Sequence, residues 1–272
     1  MTATLHFRWL GVAGIELTVE DYVLAIDPFF TRPPFWKLLG GGVAADQALA
    51  SEKVPRCHSI LVTHAHYDHL MDAPALAQYT GAQVYGSANA CKICRLHRLP
   101  EGQVHVITAG DRLSLGPFSV AVMPASHMRM PMERLVNGRL PPDLRPPLRL
   151  RDYRMDACFS FLIEAQDCRL LVGNQPQPAE VLFIIPLRPR KEIWALLEAV
   201  KPRLLIPIHW ENFFSPLSKP IRPMLQPPWQ PPFGLRRLNL EAFQKEIERD
   251  FPGARTLMPQ IFQSYDLMDL LH

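Results

Sequence analysis

The run Thr63-His64-Ala65-His66-Tyr67-Asp68-His69 places three imidazoles and a carboxylate within six consecutive positions. Neutral imidazole nitrogen and carboxylate oxygen are the donors that hold Zn²⁺ or a similar dication, so the first chemistry these residues suggest is metal ligation. The apolar, β-branched stretch from Cys57 to Val62 just before them reads as a buried strand, which puts the histidines where the chain leaves a sheet edge. Side chains alternate along an extended chain, so His64 and His66 face one side and can share an ion, while Asp68 and His69 lie past a predicted bend and point elsewhere. The plain alternatives are a histidine-rich polar loop, or histidines capping a helix begun at Asp72. The density of the cluster at a strand end argues against both.

The elements that must position this cluster alternate along the chain. Leu5 to Leu10, Gly14 to Val19 and Tyr22 to Asp27 read as strands joined by turns. After the cluster, Asp72 caps a predicted helix through Tyr79, Gln83 to Tyr85 returns as a strand, and Ser87 to Leu99 offers a second helix. Val104 to Thr108 and Phe118 to Met123 are strand-like, the latter ending in Pro124-Ala125-Ser126-His127. Further strands are predicted at Ala157 to Glu164, Arg169 to Gly173, Val181 to Ile185 and Leu204 to Ile208, the last ending at His209. Helices are predicted at Pro189 to Val200, with proline near the first turn, and at Asn239 to Asp250, with Glu241 paired to Lys245. Two proline-dense stretches, about 128–155 and 215–234, lack periodicity. They hold much of the chain's 28 prolines and read as a lid loop and a proline-rich loop, both forming rigid walls.

With 272 residues, 48% hydrophobic and 20% charged, the composition is that of one large globular domain spanning 1–272. Its longest apolar stretch, Val181 to Leu187, is far short of the roughly 18 residues of a membrane span, so no integral membrane segment is expected. The first twenty residues alternate like strands and show no secretory signal. Five cysteines, at 57, 91, 94, 158 and 168, form no disulfide framework and fit reduced thiols in a cytoplasmic protein. Cys91-Lys92-Ile93-Cys94 has no second pair to complete a metal site, so ordinary half-buried thiols are expected there. A net charge of +3 is too mild to imply nucleic acid. The basic excess is local: seven arginines between 129 and 154 face three acids and are interleaved with Met, Leu and Pro.

Three predicted strand ends therefore carry donors: the cluster at 64–69, His127 and His209. The order His-x-His-x-Asp-His at 64–69, Ile26-Asp27-Pro28, His127, the turn Gly173-Asn174 and His209 resembles the metallo-β-lactamase fold superfamily over nearly the whole chain. Within it, Trp9-Leu10-Gly11-Val12-Ala13-Gly14, His66-Tyr67-Asp68-His69-Leu70 and Ile208-His209-Trp210 look most like the branch of L-ascorbate-6-phosphate lactonase and the N-acyl-phosphatidylethanolamine-hydrolysing phospholipase D. The resemblance implies an α/β protein, a four-layer αββα sandwich of two mixed β-sheets flanked by helices. It implies one ion on His64, His66 and His127, and a second on Asp68, His69 and His209. Asp27 would support a ligand imidazole from behind, since such rings need an acceptor for their other N–H.

The departure lies at Asn174, where the family has an aspartate that bridges both ions. Asparagine lacks that charge, so a second ion is expected to bind more weakly or be absent, with Asn174 still able to offer a carbonyl oxygen. The implied activity is hydrolysis, with Zn or Mn, or alternatively Fe, as one or two ions. A dication lowers the pKa of a bound water from 15.7 towards about 7, and the hydroxide attacks an ester, lactone or phosphodiester. Asp68 and His69 are the candidate catalytic residues, Asp68 serving as general acid or base if unligated. Arginines such as Arg129 set among apolar residues, with Trp210, Phe213, Phe214 and Trp229 nearby, suit a small-molecule substrate with an anionic head and an apolar tail. A metal- and ligand-binding protein with weak or no turnover is the competing expectation.

Overall fold

In the computed structural model, residues 4–33, 42–128, 133–226 and 236–272 are described. The first sheet is built from β1 (Leu5–Gly11), β2 (Gly14–Val19), β3 (Tyr22–Ile26), β4 (Ser59–Leu61), β5 (Gln83–Gly86), β6 (Val104–Val106) and β14 (Ser264–Asp266). Its order is β14-β1-β2-β3-β4-β5-β6, antiparallel as far as β3 and parallel beyond. The second sheet takes β7 (Arg112–Leu115), β8 (Phe118–Pro124), β9 (Phe159–Ala165), β10 (Cys168–Val172), β11 (Val181–Ile184), β12 (Leu204–Pro207) and β13 (Arg255–Thr256). It repeats the plan, antiparallel from β7 to β10 and parallel from β10 to β13.

Period-two patterning decides which faces meet. Leu5, Phe7 and Trp9 of β1 join Phe118, Val120, Phe161, Ile163 and Phe183 of the other sheet in one buried cluster, because alternate residues of a strand share a face. The outer face of the first sheet is covered by α1 (Gln47–Lys53), α3 (Ala73–Thr80) and α4 (Ala88–Leu96), through Ala50, Leu76, Ala77, Ala90 and Ile93 packed on Ala25, Ile60 and Val84. On the opposite side, α6 (Arg190–Val200) and α7 (Leu240–Asp250) bring Ile193, Leu197, Phe243 and Ile247 onto Leu171, Leu182 and Leu205. The layers therefore run α, β, β, α, as the sequence resemblance implied. In α7, Asn239 accepts from the Ala242 N–H as the N-cap, and Glu241 accepts from Lys245 at 2.6 Å, the pair that the i, i+4 spacing predicts.

Some expectations are corrected. Asp72 lies at the start of α3 but makes no capping bond, because its backbone is already helical (φ −88°, ψ −14°) where a cap needs an extended residue. Its Oδ2 instead accepts from the backbone N–H groups of Phe30 and Thr31, at 2.5 and 2.7 Å, and ties down the chain after β3. Burial raises the Asp72 pKa to about 6, against the bonds from Thr31 and Phe30 that pull it down. A carboxyl whose folded pKa is raised keeps its proton longer than in the unfolded chain, so stability falls as pH rises from about 4 through about 6. A displacement of roughly 2 pH units corresponds to about 3 kcal/mol. Denaturant titrations of Asp72→Asn and wild type should therefore show their stability difference moving against wild type by up to about 3 kcal/mol between pH 4 and 7.

The region 128–155, expected as a lid loop with rigid walls, carries some local structure. Its described part holds a helical turn, α5 (Glu133–Val136), and a 3₁₀ turn at Leu150–Asp152. Leu140, Leu148 and Tyr153 are buried in the cluster under the first sheet. Asn89, at the start of α4, donates to the carbonyls of Gly138 and Arg154, and Asp156 accepts from the Asn89 N–H, so the loop is pinned as a wall. The loop 215–234 is described only to residue 226. Among the described residues no helix is long and apolar enough to cross a membrane. Cys91 and Cys94 are fully buried rather than half-buried, and Cys91 donates to the carbonyls of Gly86 and His105.

Candidate metal centre

Every candidate donor lies just beyond the C-terminal end of a strand: Asp27 after β3, the 64–69 run after β4, His127 after β8, Asn174 after β10 and His209 after β12. Neighbouring strand ends open on one edge of the two sheets, and their loops converge there. The ligand atoms of His64, His66 and His127 all lie within 4.8 Å of one another, and so do those of Asp68, His69 and His209. The groups abut, with the His64 and His69 rings 3.9 Å apart. The bend expected after His66 is a short helix, α2 (Tyr67–Leu70), which turns Asp68 and His69 away from His64 and His66 into the second group. The Asp68 Oδ2 lies 3.3 Å from His209 Nε2 and 3.6 Å from His69 Nε2.

Hydrogen bonds behind the rings fix their tautomers. Asp27 accepts from His69 Nδ1 at 2.7 Å and from the Thr63 N–H at 2.7 Å. The Thr63 hydroxyl donates to Asp27 Oδ2 at 2.5 Å, so it can only accept from His64 Nδ1, 3.0 Å away. Both rings are thereby protonated on Nδ1 and keep an Nε2 lone pair, and that of His64 is buried with no partner. His66 works the other way round. Its Nε2 lies 3.2 Å from both the Val136 carbonyl and the Asn137 side-chain oxygen, which makes Nε2 the donor and leaves the Nδ1 lone pair free. Asp27 was expected from the sequence as a supporting carboxylate. Thr63 and Asn137 were not, since neither type nor spacing marks a hydroxyl or amide as a ring's partner before the chain is folded.

Burial, then repulsion from His69, His66 and His127, holds His64 well below the usual imidazole range. Burial first, then His66 and His69, lowers His127 to about 4. Burial also acts to lower His69, but Asp27 and Asp68 outweigh it and its pKa is raised. For Asp68 burial acts upward, and His69 and His209 overcome it, keeping the carboxyl ionised well below its usual range. The first group is thus three neutral imidazoles and the second a carboxylate with two imidazoles. Both are donor sets that suit a borderline dication.

His209 is set by a device that the sequence reading missed. Its backbone is left-handed (φ 55°), and its N–H donates to the Val12 carbonyl at 2.7 Å. Val12 is itself left-handed (φ 50°), a costly conformation for a β-branched residue. Its N–H donates to Glu211 Oε1 at 2.7 Å, and the buried Glu211 is gripped by Arg32 at 2.8 and 3.1 Å. Gly11 is needed beside this pair, since a Cβ there would lie 2.3 Å from an Arg32 nitrogen. Buried unlike charges far apart in sequence carry no local signal.

Of the remaining expectations, Arg129 lies outside the described residues, as do Trp229 and Phe233. Trp210 is in the core between the sheets, stacked on Trp9 at 5.2 Å. Phe213, not Trp210, faces the His209 ring, at 5.5 Å. The Asn174 amide is engaged with Ser126.

Residues 23–148 match the model of the Beta-lactamase superfamily domain. The chain is 28% identical over 220 residues, 77% of its length and 86% of the relative's, to a UPF0173 metal-dependent hydrolase of Carboxydothermus hydrogenoformans. Among solved structures it superposes on Igni18, a metallo hydrolase from Ignicoccus hospitalis, with TM-score 0.59 and 15% identity, covering 96% of this chain and 97% of that one. It is also similar to the metallo-beta-lactamase fold protein YhfI from Bacillus subtilis, with TM-score 0.58 and 12% identity over 96% and 99% of the two chains. Two mixed sheets with helices on both outer faces and a shared site edge give this chain the metallo-β-lactamase fold, and residues 23–148 are its stretch similar to the Beta-lactamase superfamily domain.

Proposed function

We propose that the protein is a metal-dependent hydrolase. The observation that carries this reading is the meeting of two three-donor groups, with His64, His66 and His69 oriented by hydrogen-bond partners behind their rings. In this reading His64, His66 and His127 hold one ion, and Asp68, His69 and His209 hold, more weakly, a second. A bound dication supplies an acidified water and polarises a carbonyl or phosphoryl oxygen. The chain's own part is to keep His64 and His127 neutral, to keep Asp68 ionised as a ligand or proton acceptor, and to hold His69 through Asp27. The similarity to curated metal-dependent hydrolases supports the same reading.

The finer proposal is hydrolysis of an ester, lactone or phosphodiester in a small anionic amphiphile, with Zn or Mn, in the cytoplasm. It draws on the motif likeness to the lactonase and phospholipase D branch and on arginines 134, 139, 145, 149 and 151 along the 128–155 wall. Metal content by plasma emission, followed by assays on phosphodiester, lactone and thioester substrates with Zn²⁺, Mn²⁺ and Fe²⁺, tests it. Turnover on one class supports the proposal. Near-stoichiometric metal with no turnover on any class favours a binding protein instead.

Asp27→Asn probes the support behind the rings. The carboxylate accepts from His69 and the Thr63 hydroxyl on Oδ2 and from the Thr63 N–H on Oδ1, and an amide has only one acceptor oxygen to cover both sides, so ion affinity is expected to fall about 10- to 100-fold. Competition with a chromophoric chelator measures it, and an unchanged affinity would remove Asp27 from the site.

A further inference from the structure

The β8 to β9 ladder ends at Pro124, three residues before His127. Pro124 pairs with Phe159, and the Ala125 N–H donates to the Cys158 carbonyl at 2.9 Å. Phe159 then turns its N–H across to the Thr63 carbonyl, at 2.9 Å. Ser126, immediately before His127, is therefore left without a strand partner. Its backbone is met by the Asn174 side chain instead. Asn174 Oδ1 accepts from the Ser126 N–H at 3.2 Å, and Nδ2 donates to the Ser126 carbonyl at 2.8 Å and to its hydroxyl at 2.7 Å.

This orientation of the amide is forced by chemistry, since a backbone N–H can only donate and a carbonyl can only accept. Asn174 is held in turn. Its own N–H and that of Gln175 donate to the buried Ser160 hydroxyl, at 2.9 and 3.1 Å. Gly173 (φ +119°) lets the chain pass Ser160, whose hydroxyl lies 2.3 Å from where a Cβ would be. Arg188 also donates to the Ser126 carbonyl.

We infer that Asn174 is a positioning residue for His127: its amide replaces the missing strand partner of Ser126 and fixes the backbone that carries the ring. An aspartate could not serve, because it has no donor for the Ser126 carbonyl and would set a negative charge against that oxygen. The asparagine that departs from the family's pattern is thus used as an amide rather than being a ligand that has lost its charge. The ion-binding part of this inference rests on the metal-site reading above.

The test compares wild type, Asn174→Ala, Asn174→Asp and Ser126→Ala as full-length protein. Histidine-labelled NMR of the metal-free chains follows the His127 ring, and Co²⁺ and Zn²⁺ titrations against a chelator follow ion affinity. In Asn174→Ala and Asn174→Asp the His127 resonance is expected to broaden or split while the other site histidines keep theirs. Ion affinity should then fall about 10- to 100-fold, as for loss of a partner behind a ligand. Ser126→Ala keeps both backbone bonds and should stay close to wild type.

An unchanged His127 resonance in Asn174→Ala overturns the inference whatever the ions do. So does an Asn174→Asp protein that binds its first ion as wild type does and gains a second, because position 174 would then be a ligand position. Wild type that retains no ion, while His127 still broadens in Asn174→Ala, would leave the positioning role standing and sink the hydrolase reading instead.

Discussion

Replacing His66 by alanine is expected to abolish turnover and to strip the protein of its more tightly held ion. The ring joins two parts of the fold. Its Nε2 side is anchored to the Val136 carbonyl and the Asn137 amide on the 128–155 wall, and its Nδ1 side faces His64 and His127, whose ring centres are 4.6 and 4.7 Å away. Alanine removes a donor outright, so the loss should exceed the about 10- to 100-fold typical of removing a partner behind a ligand. His58→Ala is the control. That ring is exposed, stacks on Tyr22 at 4.7 Å and lies outside both donor groups. Metal content and rate measured together decide the matter. Turnover surviving in His66→Ala at full metal content would mean that the His64, His66 and His127 group is not the seat of the reaction.

Glu211→Ala should be the most destabilising single change near the site, by about 3–5 kcal/mol, because it strands a buried guanidinium. Arg32 and Glu211 have side chains only 2% and 0% exposed, so little water can replace the lost partner. The same change frees the Val12 N–H, which costs further as an unpaired buried donor. Denaturant unfolding of Glu211→Ala, Arg32→Met and the double variant Arg32→Met/Glu211→Met separates these effects. The double variant should be less destabilised than Glu211→Ala, since it leaves no lone charge inside. If all three unfold like wild type, the ion pair is not what holds the Val12 turn.

Much of this molecule could be read before folding. The strands and helices followed from local periodicity, because alternation and a 3.6-residue repeat each report which face is buried. The donor run at 64–69 was legible because its imidazoles and carboxylate are neighbours in the chain. Three short edge strands, Arg112–Leu115, Arg255–Thr256 and Ser264–Asp266, are too short and too polar to show a period, and the helix Gln47–Lys53 also has no counterpart in the sequence reading.

What the sequence by itself determined was thus the order of most strands and helices and the residue types that offer metal donors, while the αββα layering came only through the family resemblance. The tertiary structure alone decided how those side chains are presented. Thr63 relays Asp27 to His64, Asn137 orients His66, the Asn174 amide grips Ser126, and Arg32 with Glu211 holds Val12 against His209. Each depends on a contact between residues that lie far apart in the chain. A hydrogen bond or ion pair depends on separation in space and on the direction of a lone pair, neither of which a linear order of residues records.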